Sequence, residues 1–184
     1  MILVRHAAVA VDRRVPAAEW GLSAAGRAAS VVLAQRLTAH SPSLIVTSVA
    51  PKASQTGAIL AECLGLELVT AEGLHEHDRT SEPFVEPDEW HAQMRRFFGE
   101  PDALVYGRET ATAAADRFAA AVARHPDDAA IVAHGTVITL LVARHNPKLD
   151  AFEFWERFAP GAYVVVDMPG YRCDAGEPTC IEVE

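Results

Sequence analysis

Cysteine is scarce in this chain. Cys63, Cys173 and Cys180 are the whole supply among 184 residues, an odd number with no CxxC spacing. A disulfide scaffold and a paired-thiolate metal or redox motif are excluded as organising principles, and free thiols in a cytoplasmic protein are expected. Cys173 and Cys180 flank a turn-like stretch at 174–178, which leaves a pairing across a hairpin open. Positive charge is short as well, with 16 Lys+Arg against 25 Asp+Glu and a net charge of −9 at pH 7. That balance removes the broad basic face that grips nucleic acid and disfavours an acidic membrane surface. A small anion remains admissible, because a pocket can be locally basic on an acidic protein. Long apolar runs are missing too, and nothing approaches the ~20 residues of a bilayer-spanning helix. The first apolar run is cut by Arg5, so no signal peptide is expected.

What is present is a set of short apolar runs that end in chemistry. Met1-Ile2-Leu3-Val4 delivers Arg5-His6, and Ala130-Ile131-Val132-Ala133 delivers His134-Gly135. Two buried strands each ending in a histidine suggest two imidazoles converging on one site. The adjacent arginine makes that site attractive to an anion, most simply a phosphate.

Between these ends the pattern alternates. Strands are expected at 1–4, 44–47, 66–69 and 129–133, with late strands at 162–167 and 180–183. Helices are expected at 24–38 with Ser23 as N-cap, from Ser48 as cap through Leu60 to Gly65, at 87–98, to Arg124, at 136–144 and at 150–158. Strands alternating with helices predict an α/β three-layer sandwich with a mostly parallel central sheet. Ligands in such sheets bind beyond the carboxyl ends of the strands, where His6, Ser48 and His134 all fall. Half of the residues are hydrophobic. With no repeat or linker, residues 1–184 are read as one domain with a sizeable core.

The chain resembles the histidine phosphatase superfamily, with its phosphoglycerate mutase-like fold. The likeness rests on Leu3-Val4-Arg5-His6-Ala7, Leu22-Ser23-x-x-Gly26, Thr47-Ser48-x-x-Pro51-Lys52-Ala53-x-Gln55-Thr56 and Val132-Ala133-His134-Gly135, in the family's order. The resemblance implies that His6 is the nucleophile that becomes phosphorylated. It implies that Arg5 and His134 bind phosphoryl oxygens, that the family's second arginine falls at Lys52, and that Glu76 is the proton donor. Ala7, Ala8, Val9 and Ala10 depart from the family's glycine and polar residues, and Gly107-Arg108-Glu109-Thr110 only loosely matches its Gly-Glu-Ser.

Elementary chemistry supports the same set. A neutral imidazole is a competent nucleophile near neutral pH. Phosphoryl transfer asks mostly for positioning and charge neutralisation, here from Arg5, Lys52 and a protonated His134, without a cofactor or metal. Helix-start N–H groups near Lys52 and Gly135 favour the anion, and the Ser48 hydroxyl can join them. Glu76 can protonate the leaving alkoxide if its pKa is raised.

The expected function is therefore a phosphomonoesterase acting on a small phosphorylated substrate. A non-catalytic phospho-ligand-binding protein and a phosphomutase are the alternatives. The partner is a phosphorylated substrate or phosphate ion, and no pattern specifies an oligomeric state. Residues 66–107 are read as a lid or substrate-selecting segment. His75-Glu76-His77-Asp78 also invites a metal reading, but the further close histidine of such sites is missing and no metal is assigned. Arg13 and Arg14 are candidates for a second anionic group or for plain solvent exposure. Trp90, Phe97 and Phe98 fall at helical spacing and are read as core or lid packing.

Overall fold

The protein is described by a computed structural model, in which residues 1–79, 85–173 and 179 are described. Its strands are β1 (Ile2–Arg5), β2 (Ile45–Ser48), β3 (Leu68–Ala71), β4 (Ala130–Ala133) and β5 (Tyr163–Val165). Its helices are α1 (Ala24–Leu37), α2 (Pro51–Leu64), α3 (Pro87–Gly99), α4 (Ala111–Val122), α5 (Gly135–His145) and α6 (Ala151–Arg157). They build an α/β fold around one five-stranded sheet of order β3-β2-β4-β1-β5. All neighbours run parallel except β5, which pairs antiparallel with β1.

The three layers follow from the period-two alternation of the strands. Leu3, Val46 and Ile131 face a core shared with α4, α5 and the Phe152, Phe154 and Phe158 rings around α6. Ile2, Val4, Ile45, Ala130 and Val132 face the opposite way, onto Leu33 and Leu37 of α1 and Leu60 of α2. Because both faces are covered, β2 and β4 are buried throughout and read as continuous apolar runs.

Register is what matters for function. In the β1–β4 pairing Ile2 faces Ala130 and Arg5 faces Ala133, so the two strands end level. The residues that follow, His6 and His134, must then emerge side by side at the carboxyl edge of the sheet.

Several expected boundaries move for identifiable reasons. β3 begins at Leu68 rather than 66, because Gly65 takes a left-handed φ of 67° and Leu66 donates its N–H back to Ala61. Ser48 closes β2 instead of capping α2, whose N-cap is Ala50 with Pro51 in the first turn. α1 gives way to a 3-10 turn at Thr38–His40. The expected strand at 180–183 and Cys180 lie outside the described residues, although Thr179 does bridge Tyr163.

The Leu22-Ser23-x-x-Gly26 stretch has a steric explanation. Ser23 caps α1 by accepting the Gly26 N–H at 3.0 Å, and its own backbone N–H donates to the Ala8 carbonyl at 3.0 Å. The loop leaving His6 thus lies directly on the first turn of α1. A Cβ on Gly26 would overlap the Ala8 carbonyl oxygen, a backbone atom that cannot swing aside. Gly26→Ala is expected to destabilise the protein by about 1–3 kcal/mol, read as a lower urea midpoint with unchanged m-value.

Candidate active site

The level ends of β1 and β4 place the two imidazoles with ring centroids 5.3 Å apart, edge to face at 65°. His6 is tied into the sheet by its backbone N–H, which donates to the Ala133 carbonyl at 2.9 Å. Its Nδ1 lies 2.9 Å from the Ala7 carbonyl oxygen. A carbonyl can only accept, so Nδ1 carries the hydrogen and the lone pair is on Nε2. The next peptide is held in turn, since Ala7 N–H donates to Thr56 Oγ1, whose hydroxyl donates to the Lys52 carbonyl.

His134 is the N-cap of α5 and almost wholly buried. Its Nε2 is 3.0 Å from Ser48 Oγ, while its Nδ1 is buried without a hydrogen-bond partner. Ser48 is itself fully buried, so it stands behind His134 rather than on the site surface. This corrects the expectation of a direct phosphate contact from Ser48, because its hydroxyl is engaged by the imidazole.

Arg5 lies across the start of α5. One of its terminal nitrogens donates to the Phe158 carbonyl, and its Nε is buried with no partner. Gly135 makes room for it, because a Cβ there would sit 3.1 Å from the guanidinium carbon. Lys52, in the first turn of α2, donates to the Ala17 carbonyl at 2.9 Å. Its ammonium is still close enough to Glu76 and Arg5 for each to act on its ionisation.

Glu76 reaches the N-terminus of α5. One carboxylate oxygen accepts the Thr136 N–H at 3.2 Å and the other accepts the His77 N–H at 2.9 Å. The loop that carries it is braced from α4. Arg117 donates to the carbonyls of Gly73 and His75 and forms a two-point pair with Glu109, at 2.6 and 3.2 Å. Glu109 also accepts the Asp78 N–H, and its carbonyl lies 2.8 Å from His77 Nε2. Sequence inspection singled out neither Arg117 nor this role for Glu109. An arginine on an Ala-rich helix and a glutamate just before its N-cap give no local signal of what they clamp.

Electrostatics corrects two further expectations. Burial, reinforced by the mutual proximity of the rings, holds His6 well below the usual imidazole range, and Lys52 and Arg5 push the same way. Burial likewise depresses His134, helped by Lys52. His134 is therefore neutral in this structure, not one of the cations. For Glu76, burial pushes upward, but the two backbone N–H bonds and the charges of Arg79 and Lys52 outweigh it. Its carboxyl is held below the usual range instead of being raised.

These directions set a stability dependence. The unfolded chain protonates both rings as pH falls through about 6.5, while the folded chain resists doing so. Stability is therefore full above pH 6.5 and is lost below it, and Glu76 adds a loss in the same direction at lower pH. Thermal melts at pH 7.5 and 5.5 are expected to show a lower Tm at 5.5, with a smaller drop in His134→Asn. An equal drop in the variant would mean that the ring is not held neutral.

A cavity of about 110 Å³ opens beside this cluster. Arg5, Glu76, Thr136, Arg79, Trp90 and Trp155 are among the residues that line it. The His75–Asp78 run does not converge on a point. His77 turns onto Phe97 and Tyr106, both at 4.6 Å between centroids, and Glu76 turns to α5. Among the described residues no three His, Cys, Asp or Glu side chains gather as a metal-binding group. Arg14 pairs with Asp12 in solvent, at 2.7 Å. No helix of the described residues is long and apolar enough to cross a membrane.

Comparison with known proteins gives a consistent match. The family model described as histidine phosphatase superfamily (branch 1) matches residues 1–176. No curated protein gave a significant match. Among solved structures, a mycobacterial glucosyl-3-phosphoglycerate phosphatase in complex with inorganic phosphate is similar at TM-score 0.67 and 22% identity, covering 89% of this chain and 87% of that one. The YhfR protein of Bacillus stearothermophilus is similar at TM-score 0.69 and 22% identity, covering 96% of each chain. A putative phosphohistidine phosphatase SixA from Agrobacterium tumefaciens is similar at TM-score 0.55 and 16% identity, covering 90% of this chain and 89% of that one.

Proposed function

The chain belongs to the histidine phosphatase superfamily, and on that premise we propose that it hydrolyses small phosphomonoesters through a phosphohistidine on His6. The observation that carries this reading is the buried His6 ring, neutral and tautomerically fixed so that Nε2 offers a lone pair beside Arg5 and His134.

In the first step His6 Nε2 attacks phosphorus. The N–P bond forms, the P–O bond to the alcohol breaks, and Glu76 passes to the leaving alkoxide a proton that the substrate monoanion brings. Glu76, ionised again, takes a proton from water as that water attacks phosphorus. The P–N bond breaks, inorganic phosphate leaves, and the neutral imidazole is restored.

Arg5 Nε and His134 Nδ1, both buried polar atoms without partners, are suited to donate to phosphoryl oxygens. For His134 this requires the tautomer whose Nε2 accepts the Ser48 hydroxyl proton. Ser48 then acts as a positioning residue. Lys52 adds positive charge, and the first N–H groups of α5, opened by Gly135, add a partial charge of the same sign. A structural neighbour solved in complex with inorganic phosphate supports phosphate as the ligand class.

The segment at 66–107 supplies Glu76, Arg79 and Trp90 to the cavity, which supports its assignment as the substrate-selecting part of a single domain. Arg117 and Glu109 are positioning residues in this scheme, because they hold the Glu76 loop without touching the cavity-facing carboxylate.

A rapid-quench experiment tests the reading. Wild-type protein mixed with 32P-labelled phenyl phosphate and quenched in base is expected to carry label that survives base and is lost in mild acid, as a phosphoramidate should. Tight binding of inorganic phosphate with neither label nor turnover would replace the enzyme with a phospho-ligand-binding protein. Label that moves to a second hydroxyl of a diol ester, rather than to water, would indicate a mutase.

A further inference from the structure

We propose that the outer half of the cavity is a subsite for a flat aromatic group, so that the preferred substrates are phosphomonoesters whose alcohol carries an aromatic ring. The inference rests on the phosphomonoesterase reading, because it concerns the group that leaves with the proton of Glu76.

The wall is built from elements that contribute nothing to the sheet. Trp90 comes from α3 and Trp155 from α6, and they are two of the three tryptophans in the chain. Both are only half-buried, in a protein that buries its Phe97, Phe118, Phe154 and Phe158 rings completely. Their centroids are 6.2 Å apart at 64°, an edge-to-face pair that leaves ring surface directed at the cavity they line. Tyr106 backs Trp90 at 5.5 Å and directs its hydroxyl at the Met94 sulfur, 3.0 Å away. Both tryptophans pack partly against the core, and the ring surface left uncovered lines the cavity, where it can serve as a stacking platform.

Arg79 completes the wall. Its guanidinium carbon lies 4.3 Å from the centroid of the Trp90 ring, and the side chain is exposed. A guanidinium over an indole can still offer its cationic, planar group to a second electron-rich ring.

Glu76 fixes the geometry of the assignment. It lines the same cavity as Arg5 and the two tryptophans. With the phosphoryl group at Arg5 and the leaving oxygen at Glu76, the subsite reading leaves Trp155 and Arg79 for the alcohol.

The test compares kcat/KM for benzyl phosphate, n-butyl phosphate and glucose 6-phosphate, three esters of primary alcohols and so close in leaving-group reactivity. The benzyl ester is expected to exceed the other two by roughly 5- to 10-fold, the scale of one stacking contact. Trp155→Leu is expected to reduce that ratio to below about 2-fold, and Trp155→Phe, which keeps a ring, to retain most of it. A wild-type ratio at or below one against either competitor overturns the subsite, as does an unchanged ratio in Trp155→Leu. Turnover of n-butyl phosphate through an acid-labile phosphoenzyme without aromatic preference would remove the subsite alone. Absence of both turnover and phosphoenzyme with all three esters would remove the phosphomonoesterase reading and the subsite with it.

Discussion

His6→Ala is expected to lower kcat/KM for phosphomonoesters by at least about 10⁴-fold and to abolish acid-labile labelling of the protein. The size follows from the loss of the acceptor atom itself, not from a weakened contact. His134 is held as a support rather than an acceptor, with its Nε2 engaged by Ser48, and His77 faces Phe97 and Tyr106. The fold is expected to survive. His6 is held in the sheet by its backbone N–H, a bond that alanine keeps. Retained binding of inorganic phosphate in the variant, measured by calorimetry, separates lost chemistry from lost structure. Equal acid-labile labelling in His6→Ala would show that the phosphoryl acceptor lies elsewhere.

Glu76→Gln is expected to lower kcat for an alkyl ester such as n-butyl phosphate by about 10²–10⁴-fold, the usual worth of a positioned general acid. Glutamine has the same shape, and its single carbonyl oxygen can keep one of the two backbone N–H bonds from His77 and Thr136. What it cannot do is deliver a proton to an alkoxide. The loss is therefore expected to be much smaller for 4-nitrophenyl phosphate, whose leaving group departs without a proton. Equal losses for both esters would assign Glu76 to binding instead.

The lowered pKa of Glu76 sharpens this into a pH dependence. With the carboxyl ionised in the unoccupied protein, the proton for the alcohol must arrive with the substrate. The phosphomonoester monoanion carries it, and the dianion that forms beside Glu76 raises the carboxyl's proton affinity by like-charge repulsion. Activity is expected to fall as pH rises past about 6, where the ester loses its second proton. The acid limb comes from His6, whose depressed pKa keeps Nε2 available below the ordinary imidazole range. An optimum on the acid side of neutrality follows, and an optimum above pH 8 would contradict the proton route.

Much of this molecule is legible from its residues alone. Short apolar runs such as Leu3-Val4 and Ile131-Val132 specify buried strands because their side chains have no other favourable place. Ser23 announces the start of α1, and Gly65 announces the end of α2. Arg5-His6 and His134-Gly135 are visible as chemistry at strand ends before any coordinates. These are local facts, governed by backbone preference and by the period of hydrophobic residues, and a chain carries them in order.

Tertiary structure decided the rest. Only the level pairing of Arg5 with Ala133 makes neighbours of two histidines 128 positions apart. Burial, helped by Lys52, decides that His134 is neutral, and the N–H bonds from His77 and Thr136 with the charges of Arg79 and Lys52, set against burial, decide that Glu76 is ionised. Ser48 changed from a surface contact to a support for His134 because the fold closes over it. The Arg117–Glu109 brace and the Arg79–Trp90 contact had no signature, since neither pair lies within one helix or strand and only packing brings the side chains together. Proton affinity and contact depend on the dielectric and the distances around a group, and these exist only once the chain has packed.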